Sequence, residues 1–437
     1  MIEVTVEKMI YGGKGLARDN GLTIFIPGVI PGERVYVRIK KKRKGFAEAE
    51  LIEIIKPSPD RITPPCKGEE ECAGAHWPYI SYPAQLRLKE EILLETLRKI
   101  GSIEPRNILP IIPSQNIDHY RLRVQFNVRY RDSRPLIGFF REGTHHLVEI
   151  KNGFLLHPLI NRILDAIRKL TDQLPPLREI HINVSPDTSG EALILFFIDV
   201  ETPPRPGGAT IFEALRKDVK EVVGIISYAG RKKYEVLGRN YLKLRLDDFS
   251  FQSREGSFFQ VNWGQNKNMI NSLLDLSELK GDERVLDLYS GIGNFSLPLA
   301  KKVERVIGIE SGYSAVKDAL RNAEENGIKN IAFICEDVRK GLKGLLEKKE
   351  RVDLIVLDPP RAGATKKIIE RIIAFSPKKI IYVSCNPTTL ARDLMMLQNG
   401  GYFLNRLQPI DMFPQTYHIE SIAELLFQSI KNGSSWT

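Results

Sequence analysis

From about residue 258 onward the chain alternates β-forming runs with helical patterns. The runs cover residues 284–288, 305–309, 331–335, 354–357 and 380–383. Regular strand–helix alternation has few solutions, and the favoured one is a doubly wound, mainly parallel sheet with helices on both faces. Ligands of such sheets bind beyond the carboxyl ends of the strands. Residues just past each run are therefore where chemistry is expected.

The chain before this region reads differently. Up to about residue 56, short β-rich runs at 4–6, 23–26, 35–39 and 47–55 are separated by Gly12-Gly13, Pro27-Gly28 and Pro31-Gly32. That many short strands predict a small closed barrel of the oligonucleotide-binding kind. Lys40, Lys41, Lys42, Arg43 and Lys44 lie between two of them, either as a solvated hairpin tip or as a phosphate-contacting loop. Residues 57–83, rich in Pro, Gly and charge, read as a linker. Leu86, Ile92, Leu93, Leu97 and Ile100 then mark a helix. Runs at 123–128, 179–184 and 193–198 with a helix near 161–170 predict a central α+β module. The expected division is a barrel at 1–58, a linker and helix at 59–90, the central module at 91–255 and the doubly wound domain at 256–437.

With 64 Lys+Arg against 54 Asp+Glu, the net charge of +10 suits a polyanionic partner without specifying one. No basic leader precedes an apolar run at the N-terminus, and no stretch approaches the roughly 18 apolar residues of a membrane helix. Four scattered cysteines are too few for a disulfide scaffold. A cytoplasmic monomer with reduced thiols and no membrane partner is expected.

The run at 284–288 leads into Tyr289-Ser290-Gly291-Ile292-Gly293-Asn294-Phe295. Gly291 and Gly293 allow a tight turn and close approach of a ligand to a helix start. Glu310 ends the next strand and can accept both hydroxyls of an adenosine ribose. Ser296 stands where a dinucleotide site wants a further glycine, which tilts the reading from NAD to S-adenosylmethionine. Asp337, past the third run, can serve the adenine amino group or simply cap the following helix.

Two segments at the ends of the fourth and fifth runs carry the catalytic reading: Asp358-Pro359-Pro360-Arg361-Ala362-Gly363 and Ser384-Cys385-Asn386-Pro387. Alone, a strand-end cysteine is a small buried hydrophobe and a carboxylate before prolines is a turn residue. On adjacent strands beside a cofactor turn, the two together suggest a nucleophile and its partner.

These segments resemble the RNA uracil-C5 methyltransferases, the family of the tRNA T-loop and 23S ribosomal RNA enzymes. The barrel is similar to the TRAM domain. Ser257-Phe258-Phe259-Gln260-Val261-Asn262, the glycine turn, Asp358-Pro-Pro-Arg-Ala-Gly, Ser-Cys-Asn-Pro and Asp411-Met-Phe-Pro-Gln-Thr-Tyr-His-Ile-Glu420 match the family's motifs. The resemblance implies a Rossmann-like S-adenosylmethionine-dependent methyltransferase domain acting on RNA, with 23S rRNA expected ahead of tRNA. It makes Cys385 the nucleophile that adds to C6 of uracil, in a pocket favouring its thiolate, and Glu420 the base that removes the C5 proton. Gln260, Tyr289, Asn294, Glu310 and Asp358 match cofactor-contacting positions. Phe258 or Phe259 could stack on a base, although core packing is the favoured reading for either alone. Rival readings are a non-catalytic RNA-binding or RNA-folding factor and a cytosine-C5 methyltransferase, although the latter carries its cysteine where Asp358 stands.

Many relatives hold an iron–sulfur cluster on four cysteines. Cys66 and Cys72 match two of them, but Ala75 and Gly153 occupy the other positions. No cluster or metal is expected here, and a zinc or disulfide role for Cys66 and Cys72 stands open without support in the sequence.

Overall fold

The computed structural model describes residues 1–72, 74–132, 134–141, 143–186, 190–199 and 208–428. Strands β1 (Ile2–Met9), β2 (Gly15–Asp19), β3 (Leu22–Ile26), β4 (Arg34–Arg43) and β5 (Phe46–Lys56) close into a barrel in the order β1-β2-β3-β5-β4. Alternate residues such as Val4, Val6, Ile24, Ile26, Val35 and Val37 fill its interior, as the period of two requires.

The segment after the barrel is packed, not slack. Arg61 forks onto the fully buried Glu33 at 2.6 and 2.8 Å, tying it to the barrel. Trp77 is buried with Met9, Ile30, Ile80, Leu88 and Ile92. Helix α1 (Gly68–Cys72) is followed by α2 (Tyr82–Gly101). The expected boundary at residue 90 falls inside α2, and β6 (Asn107–Ile108) joins the outer edge of the C-terminal sheet. Composition marks this stretch as a linker, but a Pro- and Gly-rich backbone can still be held by one large buried aromatic.

The central module contains β7 (Arg123–Arg131), β8 (Arg134–Phe140), β9 (Leu147–Glu149), α3 (Pro158–Lys169), β10 (Leu177–Val184), β11 (Ala192–Ile198), α4 (Gly208–Asp218), β12 (Val222–Ala229) and β13 (Lys232–Gly238). Its strands form one sheet in the order β13-β12-β11-β10-β7-β8-β9. Apolar residues of α3 and α4 pack on one face of it. The hairpin β14 (Tyr241–Leu246) and β15 (Phe249–Arg254) leads onward, and β15 rests on the C-terminal domain.

That domain comprises α5 (Trp263–Ser277), β16 (Arg284–Leu288), α6 (Ser296–Ala300), β17 (Arg305–Glu310), α7 (Tyr313–Glu325), β18 (Ile331–Cys335), α8 (Val338–Glu347), β19 (Leu354–Leu357), α9 (Lys366–Phe375), β20 (Lys379–Ser384), α10 (Pro387–Asn399), β21 (Tyr402–Ile410) and β22 (Glu420–Phe427). The sheet order is β18-β17-β16-β19-β20-β22-β21-β6. Strands β16 to β20 are parallel, and β22 returns antiparallel between β20 and β21. The order reverses between β16 and β19, which makes their carboxyl ends a topological switch point. Apolar layers cover both faces of the sheet, so its strands are apolar throughout. Among the described residues, no helix is long and apolar enough to cross a membrane.

Candidate active site

The antiparallel return of β22 does what the parallel strands alone cannot. Ser384 pairs with Ser421 at the last step of the ladder, so Cys385 follows the end of β20 where Glu420 begins β22, and the two side chains interact. Asp358 follows the adjacent β19, and its N–H donates to the Leu288 carbonyl at 3.3 Å. Asn386 joins the two loops: its amide donates to the Arg361 carbonyl at 3.0 Å, while its Oδ1 accepts the Thr388 N–H at 3.0 Å and caps α10. Asp393, on α10, accepts from the Ala364 N–H at 2.7 Å and the Tyr382 hydroxyl at 2.6 Å. The 358–364 loop is thereby held against the start of the helix that follows Cys385.

The electrostatics of the pair differ from expectation. Burial first, then the Glu420 and Asp358 carboxylates, push the Cys385 thiol up to about 12, against a smaller downward pull from Arg361. The resting pocket therefore favours the thiol, chiefly because burial disfavours its charged form and the two neighbouring carboxyls outweigh Arg361. Burial also raises Asp358 to about 7 and Glu420 well above the usual carboxylate range, the latter helped by Asp358 and opposed by Arg361. Glu420 is buried, whereas Asp358 keeps an edge open to the cleft.

At the neighbouring strand ends, Glu310 is anchored by the Gly291 N–H at 3.2 Å and the Gly312 N–H at 2.6 Å. Gly291 has φ +54° and open space where a Cβ would stand; at Gly293, φ +91°, a Cβ would strike Leu297 at 2.3 Å. A turn with bare backbone on one side and a fixed carboxylate on the other fits the adenosine end of S-adenosylmethionine. Tyr289 shares the turn, its N–H donating to the Ile309 carbonyl at 2.9 Å. Asp337 caps α8 through the Lys340 N–H at 3.3 Å and stands exposed at the end of β18. Asn294 is engaged in reciprocal 2.9 Å hydrogen bonds with Asn266, so its side chain braces α5. Gln260 is half-buried, two residues before Asn262, the cap of α5.

Several residues at the site were not singled out from sequence. Tyr11 of the barrel has its hydroxyl raised to about 12 by burial and then by Cys385, which places it beside the nucleophile. Its ring meets Tyr417 edge-on at 5.8 Å, and His76 and His418 flank Tyr417 at 4.6 and 4.3 Å. Burial and Arg361 hold His418 down to about 3, hence neutral. Apart from its motif neighbours, no local pattern marks Tyr11, which reaches the site only because the barrel docks there.

The expected RNA contacts divide. Lys41, Lys42, Arg43 and Lys44 are all exposed at the end of β4 and the turn into β5. Phe258 is 59% exposed under the Arg123 guanidinium at 5.0 Å, whereas Phe259 is core.

The iron–sulfur positions do not fit a cluster. Cys66 and Cys72 are joined in a disulfide, with Cα atoms 5.3 Å apart, in place of the expected free thiols. With no further ligand beside them among the described residues, the two cysteines have each other as partners. At Gly153 any Cβ would strike Leu156 at 2.5 Å. Among the described residues no group of three or more His, Cys, Asp or Glu side chains is arranged to hold a metal.

Known proteins share this arrangement. Residues 81–428 match the model of the tRNA (uracil-5-)-methyltransferase family, and residues 1–52 match the TRAM domain. An RNA methyltransferase of Aquifex aeolicus is 37% identical, with 97% of this chain and 98% of that one covered. The 23S rRNA (uracil(1939)-C(5))-methyltransferase of Aeromonas hydrophila is 33% identical over 97% of this chain and 95% of its own. The crystal structure of Pyrococcus abyssi tRNA (uracil-54, C5)-methyltransferase with S-adenosyl-L-homocysteine superposes with a TM-score of 0.76 at 25% identity, covering 97% and 99% of the two chains. With its glycine turn, Cys385–Glu420 pairing and docked barrel, the chain belongs to the S-adenosylmethionine-dependent RNA uracil-C5 methyltransferase family.

Proposed function

We propose that the protein methylates C5 of a uridine in 23S ribosomal RNA, in the cytoplasm, through a covalent bond between Cys385 and C6. The observation that carries the reading is the Ser384–Ser421 pairing, which brings Cys385 and Glu420 to adjoining strand ends where they interact. When bound, S-adenosylmethionine supplies an electrophilic methyl and a sulfonium charge that favours the thiolate.

C5 of uracil is too weak a nucleophile unaided. Addition of the Cys385 thiolate to C6 places an enolate across C4, C5 and O4, making C5 nucleophilic. Once C5 carries the methyl, its proton must go before the base can become aromatic again. Glu420 accepts that proton, the C5–C6 double bond re-forms, and Cys385 leaves with the C6–S electron pair. A carboxylate raised by burial is a stronger base than one in water, which suits an unactivated carbon acid. Arg361, which pulls both Cys385 and Glu420 toward ionisation, is the cation that tempers this anionic site. The target base must leave its stack to reach Cys385.

Ribosomal RNA is preferred over tRNA because identity to the Aeromonas 23S enzyme exceeds identity to the Pyrococcus tRNA enzyme. Unmodified 23S rRNA and tRNA transcripts offered with labelled S-adenosylmethionine should show label in the former; label in tRNA alone reassigns the substrate. RNA containing 5-fluorouridine should form a denaturation-resistant adduct with the wild type and none with Cys385→Ala. An adduct formed by the alanine variant would rule out the nucleophile.

A further inference from the structure

A cavity of about 490 Å³ opens beside the active site, between α1 and the β8–β9 edge of the central sheet. Its wall includes His76, Arg121, Phe139, Phe140, Arg141 and Leu156. The size falls within the roughly 300–1,000 Å³ of ligand-binding clefts. Arginines, a histidine and two phenylalanines, with no carboxylate among the wall residues, make a lining selective for an anion that carries an aromatic ring.

Three features point to its occupant. The Nε of Arg121 is buried without a hydrogen-bond partner, an unused donor in a wall otherwise closed by Leu155 and Leu156. The Phe140 ring lies outside the apolar core on which Phe139 packs, and the Arg129 guanidinium covers it at 5.1 Å from the ring centre. An aromatic ring backed by a guanidinium is a stacking platform for a nucleobase. Lastly, the cavity shares a wall with the catalytic segment. The N–H groups of His76 and Trp77 both donate to the Gln415 carbonyl, at 2.8 and 2.9 Å, and the His76 ring packs on Tyr417 and His418. Glu420 lies two residues beyond His418.

We propose that this cavity is a second nucleotide subsite, which takes an unpaired nucleotide flanking the target uridine. The base stacks on Phe140, and its phosphate or a base acceptor meets Arg121 and Arg141. The subsite rests on the reading that the substrate is RNA, but not on which uridine is methylated. It makes local RNA sequence or unpaired geometry beside the target a condition for binding, and so a determinant of site choice.

Cross-linking separates the two ideas. The Cys385→Ala protein, irradiated with large-subunit ribosomal RNA transcribed with 4-thiouridine, should give cross-linked peptides containing Phe139, Phe140 or Arg141. Cross-links confined to the barrel and the Cys385 cleft would overturn the subsite while leaving the methylation reading intact. In turnover assays with the same RNA, Phe140→Ala should raise KM about tenfold with kcat little changed and S-adenosylmethionine affinity unaltered. Arg121→Met should act in the same direction. Far-ultraviolet circular dichroism identifies a misfolded variant; Phe140→Tyr, which keeps the ring, should retain wild-type KM. Two folded variants with wild-type KM, or loss of kcat alone, would overturn the proposal.

Discussion

Lys89 of α2 and Asp411, 322 residues apart, form a fully buried ion pair at 2.5 Å that locks the segment leading to Glu420. The Lys89 ammonium also donates to the Phe413 carbonyl at 3.0 Å. One turn earlier, Gln85 and Gln415 exchange hydrogen bonds at 2.9 Å, with Gln415 held at φ +64°. Residues 411–419 thus owe their course to a helix from the far end of the sequence. Burial pulls the Lys89 ammonium down from its ordinary value, and Asp411 opposes that pull.

Lys89→Met should therefore cost about 3–5 kcal/mol of unfolding free energy, because it leaves a carboxylate buried without its cation. Adding Asp411→Leu should restore much of that stability, since paired apolar residues replace a desolvated ion pair. Urea unfolding measures both. The double variant should stay slow in turnover because the Phe413 carbonyl has lost its donor and the loop its register. Full activity in a stable double variant would show that the pair serves stability alone.

The second prediction concerns Cys385. In a Cys335→Ser background, which removes the exposed free thiol, iodoacetamide should react slowly with Cys385 at pH 8. Removing one of the anions that raise the thiol, by Glu420→Gln, should lower its apparent pKa and speed alkylation several-fold. Arg361→Gln removes the opposing cation and should slow it. With RNA, Glu420→Gln should accumulate the covalent adduct, since the thiolate can add but the C5 proton cannot leave. Equal alkylation rates in all three proteins would show that burial alone sets the thiol.

Much of the catalytic domain was legible because its strands are unbroken apolar runs with polar ends; β16, β18 and β19 have the bounds read from sequence. The antiparallel insertion of β22 between β20 and β21 was not, since pairing between Ser384 and Ser421 is non-local and neither run announces its partner. Lys89 and Gln85 look like surface residues on an amphipathic helix, yet both are completely buried. The side chains that bind them, Asp411 and Gln415, lie more than 300 residues away, beyond any periodicity in the sequence. The thiolate-favouring pocket expected from the chemistry differs from the resting site, where burial first and then the neighbouring Glu420 push the thiol up.

Asp358 yields a pH prediction. Its folded-state pKa of about 7 exceeds the ordinary value of 3.8, and Glu420 moves the same way. The stability such groups contribute is complete below about pH 4 and is lost as pH rises through about 7. Asp358→Asn removes one of these groups, so its melting temperature should fall less than that of the wild type between pH 5 and 8. The difference at pH 8 should be on the order of 1 kcal/mol, reduced by solvent at the open edge of the cleft. Parallel melting curves across that range would show that Asp358 is not held protonated.

The barrel's docking gives the last prediction. Gly13, at φ +81°, lies under Tyr417, and a Cβ there would stand 2.7 Å from the ring; Trp77 also donates to the Gly13 carbonyl at 3.3 Å. Gly12, at φ +102°, has nothing within 4 Å of the same construction. Alanine at either position carries backbone strain of about 1–2 kcal/mol. Only Gly13→Ala should also displace Tyr417, and through it the wall shared by Tyr11, His76 and His418. It should lower kcat/KM for RNA by tenfold or more beyond Gly12→Ala, while S-adenosylmethionine affinity, measured by calorimetry, stays equal in both. Indistinguishable variants would mean that the barrel binds RNA without shaping the catalytic segment.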